Sequence, residues 1–255
     1  MSVITFLSDF GIDDHYVAAV KASILKVDPR ASIIDISHMV DTGHIAQASF
    51  ILKSVFRDFP ERSVHLIALD DPQRAPTGMI AVEMESHYFV GPDNGVIGLL
   101  SDTTSYKAVD INPEKRLTTF PAKNLLGPVS AKLGLGASLE EVGAPMESFK
   151  KMLGRHLRAN QTQLIGNVLH VDHYGNLITN IDKATFEKLT TGQSYFISFG
   201  KESSRVVHKG YFQVEPGDCF VVFNDQGLLE IGIKHGNASH LMGLEFDSTV
   251  IVNIT

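Results

Sequence analysis

The chain has 255 residues, 44% hydrophobic and 20% charged, enough to bury a core and too apolar for a disordered chain. Its formal net charge is −7 and it has no run of Lys and Arg, which argues against duplex nucleic acid as a partner, because phosphate binding needs clustered cations. Cys219 is the single cysteine, which excludes an internal disulfide and a cysteine-built zinc site; its apolar run predicts a buried thiol. No stretch approaches the ~18 apolar residues of a membrane span. Residues 1–7 are too short for a signal peptide, so a soluble cytoplasmic protein is expected.

Residues 3–7 are a continuous apolar run, the pattern of a strand buried on both faces. The polar loop 8–14 follows, with Asp13 and Asp14 where a helix N-cap belongs. Tyr16, Val17, Val20, Ile24 and Leu25 then recur at helical spacing. Residues 32–36 read as a second strand, 44–56 as a second helix with Ile45, Ala48, Ile51, Leu52 and Val55 on one face, and 64–69 as a third strand. Residues 80–90 read as a hairpin turning near Glu85 and Ser86, 91–95 as a tight loop, and 107–111 as another strand. Helices are predicted at 128–133 and 139–142. Strands alternating with helices predict a mostly parallel sheet.

Beyond residue 150 the pattern changes. Lys150, Lys151, Arg155, His156 and Arg158 make a polar connector. After it β-prone segments dominate, with one helix near 183–189 and glycines at 192, 200, 210, 217 and 227 punctuating them, as in a sandwich or barrel. The expected architecture is therefore an α/β N-terminal domain over residues 1–158, with helices flanking a mostly parallel sheet, and an all-β C-terminal domain over 159–255.

Three polar constellations interrupt these apolar runs. Asp9 follows the first strand, at the edge where open α/β sheets bind ligands, and a carboxylate there suits a ribose diol because it accepts two hydroxyl hydrogens. Asp70 and Asp71 end the third strand at the same edge; adjacent side chains of an extended chain point opposite ways, so one of them faces the cleft. The third is the run from Asp172 through Tyr174 and Asn176 to Asn180, between two β-prone stretches. Buried polar groups must be satisfied, so these bind either each other's backbone, as a turn, or a ligand. The chain has no phosphate-cradling glycine loop, no GxGxxG and no HxxxH or HExxH metal spacing, which argues against a nucleoside triphosphate, a dinucleotide or a metal.

Taken together, five segments carry a resemblance: residues 6–11 with Asp14, His15, Tyr16, Val17 and Lys21; residues 34–38; residues 88–96; residues 174–181; and Gly236, Asn237 and Ala238. In order and spacing, over nearly the whole chain, they resemble the S-adenosylmethionine hydroxide adenosyltransferases, relatives of the fluorinases and chlorinases. The resemblance implies an adenosyl-binding α/β domain, a β domain, and a homotrimer whose ligand lies between neighbouring subunits. It implies attack of water on C5′ of S-adenosylmethionine, giving adenosine and L-methionine, with S-adenosylmethionine as substrate or ligand and no cofactor. Asp9 matches the ribose carboxylate. Asp172 and Asn176 match the pair that grips the methionine end, with Tyr174 beside them, and Asn237 and Ala238 match the loop that reads adenine. Asp70, or Asp71 with a one-residue deletion, matches the acidic member of the hydrolases' Asp-Arg-His set.

The departures are specific. The family arginine falls at Thr77 or Gly78, with Arg74 displaced nearby, and the histidine has become Pro121, in a stretch that continues Ala122, Lys123, Asn124. Ala122 stands where halogenases carry a hydroxyl, so a halide site is not supported. The expected activity is a hydrolase with a rebuilt water site, Arg74 and Lys123 being further candidates to place the water. The alternatives are a catalytically impaired S-adenosylmethionine or adenosine-binding protein, and an enzyme acting on another 5′-substituted adenosine.

Overall fold

The computed structural model describes residues 2–69, 77–114 and 118–255. The chain divides into two units, one ending at Leu153 and the other spanning Gly154–Thr255. In the first, β1 (Val3–Ser8) and β3 (Val64–Ala68) are mostly apolar and buried at nearly every position, because both faces of the sheet are covered. The sheet also contains β2 (Ser32–Ser37), β4 (Met79–Met84), β5 (His87–Pro92), β6 (Tyr106–Asp110) and β7 (Ala144–Met146), in the order β2-β1-β3-β5-β4-β6-β7. Pairs β1/β2, β1/β3 and β3/β5 are parallel, whereas β4/β5, β4/β6 and β6/β7 are antiparallel. The sheet is thus mixed rather than mostly parallel. The tight turn at Glu85 and Ser86, both with positive φ, allows only an antiparallel return.

Side chains alternate across the strands and so divide the core in two. Ile4, Phe6 and Leu66 pack under α1 (Tyr16–Val27), α3 (Gly127–Gly134) and α4 (Leu139–Val142). Leu7, Ile67 and Phe89 pack under α2 (Ile45–Lys53). Helix α1 is capped by His15 without a side-chain bond, so Asp13 and Asp14 are exposed loop residues rather than caps. One turn of π-helix, Ala122–Leu126, leads into α3. A Cβ added at Gly127 would lie 2.3 Å from Ser23 Oγ, so α3 and α1 touch where no side chain intervenes.

The second unit holds β8 (Arg158–Ala159), β9 (Gln163–Val171), β10 (Leu177–Asp182), β11 (Tyr195–Phe199), β12 (Glu202–Ser204), β13 (Cys219–Phe223), β14 (Leu228–Ile233) and β15 (Thr249–Ile254), with helices α5 (Lys183–Thr190) and α6 (Ala238–Met242). The strands run antiparallel in the order β12-β11-β15-β9-β10-β14-β13, β8 pairing with β9. Both arms bury Leu164, Ile197, Phe199, Leu229, Ile231 and Val252 in one core, giving a nearly barrel-shaped sheet. Cys219 opens the edge strand β13 and is half-buried rather than fully buried; burial still pushes its thiol up to about 11. Among the described residues no helix is long and apolar enough to cross a membrane.

A polar chain crosses the α2-side core. Thr5 Oγ1 lies 2.8 Å from His65 Nδ1, and His65 Nε2 lies 3.1 Å from His87 Nδ1. His65 is fully buried and stacks on Phe89. Burial, and then the neighbouring His87, hold His65 down at about 3. Its folded pKa is therefore below the unfolded 6.5, so the unfolded chain takes up the proton first. Stability is full above pH 6.5 and falls towards pH 3, by about 1.4 kcal/mol per pH unit. We expect the urea midpoint to drop between pH 7 and pH 5, and to drop less in a Thr5→Val/His65→Leu double variant.

Candidate functional site

Two cavities collect the polar constellations, one in each unit. The first opens at the C-terminal ends of β1 and β3. The chain crosses from β2 to β3 past β1 there, the switch point at which open α/β sheets bind ligands. It has a volume of about 580 Å³, in the range of small-molecule sites. Phe10, Tyr16 and Phe120 form an aromatic wall with centroids 5.6 to 5.9 Å apart. Met79, Pro92, Pro121 and Ala122 complete an apolar lining into which Asp9, Thr42 and Thr119 bring polar atoms. Such a lining takes a flat ring, and a carboxylate beside it takes hydroxyl donors.

Asp9 is fixed through its own carboxylate and through the residue before it. Its Oδ2 accepts the Gly43 N–H at 3.1 Å. Behind it, Ser8 Oγ lies 2.7 Å from His38 Nδ1, His38 Nε2 lies 3.2 Å from Asp35 Oδ1, and Asp35 Oδ2 accepts from Lys21 Nζ at 2.6 Å. Burial raises the Asp35 carboxyl, but the bonds from Lys21 and His38 outweigh it and leave it below the usual range. The order Ser-His-Asp does not make a nucleophile here, because Ser8 is fully buried. It ties the end of β1 to β2, and the Gly11 N–H donating to His38 O at 2.8 Å fixes the following loop.

Of the residues expected to place a water, Asp70, Asp71 and Arg74 lie outside the described residues. Lys123 is exposed on the π-turn and is not among the residues lining the cavity. Pro121 does line it.

The second cavity, of about 780 Å³, lies against the turn between β9 and β10. Asp172 Oδ1 accepts the N–H of Tyr174 at 2.9 Å and of Asn176 at 2.8 Å, and Asn176 Nδ2 donates to Asp172 Oδ2 at 3.1 Å. The polar run is thus a turn whose groups satisfy one another, and its side chains still line a cavity. Asn180 plays a different part: its Oδ1 accepts the Asn167 N–H at 2.8 Å and its Nδ2 donates to Arg155 O at 3.1 Å. Tyr174 is 74% exposed. Asn237 Oδ1 caps α6 by accepting the His240 N–H at 2.8 Å, and Ala238 is the buried first residue of that helix.

Glu230, Tyr211, Asp225 and Lys234 also line this cavity, and none of them belongs to the polar constellations of the sequence. Glu230 was detectable as a lone carboxylate inside the apolar strand Leu228–Ile233. Burial, and then the Glu230 charge, push the Tyr211 hydroxyl up to about 12.

Residues 4–143 match the SAM hydroxide adenosyltransferase N-terminal domain, and residues 166–251 the C-terminal domain of the same family. The chain is 29% identical to a Methanocaldococcus jannaschii (R)-S-adenosyl-L-methionine hydrolase, over 96% of this chain and 94% of that one. It is 25% identical to a Nocardia brasiliensis fluorinase, over 74% of each. The crystal structure of a conserved Thermotoga maritima protein superposes with a TM-score of 0.88 at 31% identity, covering 98% of this chain and 99% of that one.

The two halves of the second site meet at Gly175, whose φ is +84° and whose added Cβ would lie 2.2 Å from the Asn237 side chain. Gly175→Ala is expected to lose about 1–3 kcal/mol through backbone strain and displacement of the α6 cap, read as a lower thermal midpoint.

Proposed function

Because the chain belongs to the SAM hydroxide adenosyltransferase family, we propose that it is an S-adenosylmethionine hydrolase. Water attacks C5′ of S-adenosylmethionine; the O–C5′ bond forms as the C5′–S bond breaks, and sulfur keeps the electron pair. The products are adenosine, L-methionine and a proton. The sulfonium is a leaving group that departs neutral, so the step calls for in-line placement and a desolvated nucleophile more than for a strong base. In this reading it needs neither metal nor cofactor.

The observation that carries the reading is the first cavity, an aromatic-walled apolar site with a braced carboxylate, Asp9, at the edge of β1. Asp9 takes the ribose hydroxyls. Asp172 and Asn176, with Tyr174, take the methionine end, and Asn237 and Ala238 read adenine. Asp70 or Asp71, with Arg74, places the water; we assign no step to Lys123, which is exposed and outside the lining. Ala122 brings no hydroxyl to the lining, which favours water over halide. The apolar lining at Pro121, where no titratable group stands, favours a second reading, a binding protein without turnover. Incubation with S-adenosylmethionine in ¹⁸O-labelled water separates them. Labelled adenosine is the expected product; binding without product would support the second reading, and neither would remove both.

The reading includes a cytoplasmic homotrimer, with each site shared between the first unit of one subunit and the second unit of its neighbour. Support comes from exposed aromatics of the second unit, Tyr174 and Phe212, which suit a covered surface. Light scattering is expected to give three chains. Asp9→Ala and Asp172→Ala are each expected to abolish turnover, and co-expression of the two to restore about a quarter of the wild-type rate, the random share of composite sites with both residues intact. No recovery in a confirmed mixed trimer would place both residues in one subunit's site.

A further inference from the structure

Glu230 is 4% exposed in the middle of β14, on the face opposite the core residues Leu229 and Ile231 and lining the second cavity. A carboxylate so placed is costly unless it is bonded or used. Its Oε1 accepts from Asn176 Nδ2 and from the Tyr211 hydroxyl, both at 3.1 Å. Asn176 Nδ2 also donates to Asp172 Oδ2, so both hydrogens of that amide are committed to carboxylates. The amide therefore has no donor left for an anionic group of a ligand. Among the charged groups of the lining, carboxylates outnumber the one lysine. Asp172, Asp225 and Glu230 are acidic, while Lys234 donates its Nζ to Val214 O at 2.6 Å.

We propose that Glu230 sets the preference of this cavity for a ligand tail that carries a cation, by fixing the Asn176 amide and the Tyr211 hydroxyl and by adding its charge to that of Asp172. The proposal rests on the reading of the Asp172 turn as the site for the amino-acid end of the substrate. The groups around Glu230 are Asp172 and Asn176 from the β9–β10 turn, Tyr211, Asn224 and Asp225 from the β13–β14 turn, and Lys234 and His235 from the end of β14. Burial raises the Glu230 carboxyl, bonds from Asn224 and Tyr211 oppose this, and the charges of Asp172 and Asp225 add to it; the net direction is upward. Glu230 thus loses its charge at a higher pH than an exposed glutamate, and affinity for a cationic tail falls with it as pH falls.

The test uses the full-length protein, S-adenosylmethionine, and 5′-methylthioadenosine, which lacks the amino acid. Glu230→Gln keeps the shape and removes the charge. It is expected to raise KM for S-adenosylmethionine about tenfold and change kcat less than about twofold. It should leave the Kd of 5′-methylthioadenosine within about twofold, and shift the acid limb of the KM profile to lower pH. Tyr211→Phe, at a half-exposed position, is expected to raise KM about threefold, because it loosens the carboxylate without removing it. An unchanged KM, equal losses for both ligands, or an unmoved acid limb in Glu230→Gln would overturn the proposal. Wild-type protein that neither binds nor cleaves S-adenosylmethionine would overturn the underlying reading of the site instead, and this proposal with it.

Discussion

Strand β1 is hydrogen-bonded along both edges, to β2 and β3, and buried on both faces. A strand in that position has no freedom to shift, so whatever follows its last residue starts from a fixed point. Asp9 comes next. The contacts behind it, Ser8 to His38 to Asp35 to Lys21, extend the constraint from backbone to side chains and carry it out to the surface. The first cavity is therefore built from one end of a rigid element, the arrangement that holds a binding group most tightly. The apolar wall opposite comes from Phe120 and the π-turn, a geometry that recurs beside functional sites.

The second unit reaches comparable order by different means. Its cavity is lined from turns rather than from a strand end, and turns are ordinarily mobile. Here a carboxylate satisfies the backbone of its own turn, an amide bridges that carboxylate to a second one on β14, and a glycine lets the turn lie directly on the cap of α6. Asp172, Asn176, Glu230 and Asn237, which face the cavity, are each already bonded within the unit. A ligand entering such a site meets oriented acceptors and has little ordering left to impose.

Much of this was legible in the sequence, for definable reasons. The α/β first unit and β-rich second unit follow from the switch between helical and alternating apolar patterns. Asp9 and Asp172 stood out because each is a short polar residue set against an apolar run. The mixed character of the first sheet was hidden because pairing direction depends on which strands become neighbours, not on the strands themselves; β7, three residues long, carries no pattern of its own. Asp13 and Asp14 have cap chemistry, yet α1 starts at Tyr16 with His15 as its cap, since propensity sets a helix end only to within a few residues. Glu230 and Tyr211 acquire their meaning from Asn176, which lies 54 positions from Glu230 in the chain. No local pattern reports a contact of that range. The partial exposure of Cys219 likewise reflects its place on an edge strand rather than its apolar neighbours.

Helix α1 takes part in two of these constraints at once. Lys21 holds the brace that ends at Ser8, and two residues later Ser23 rests against Gly127, where the π-turn bearing Pro121 and Ala122 joins α3. The contacts run from the carboxylate side of the first cavity, through the helix, to its apolar wall, and the Phe10 and Phe120 rings, 5.9 Å apart, close them into a loop. A closed loop cannot relax at one point without straining another. The cavity should therefore behave as a hoop of fixed circumference. Exchanges in its wall that conserve volume are absorbed locally, whereas added bulk at Ala122 is felt at Asp9, on the opposite rim, without any direct contact between them.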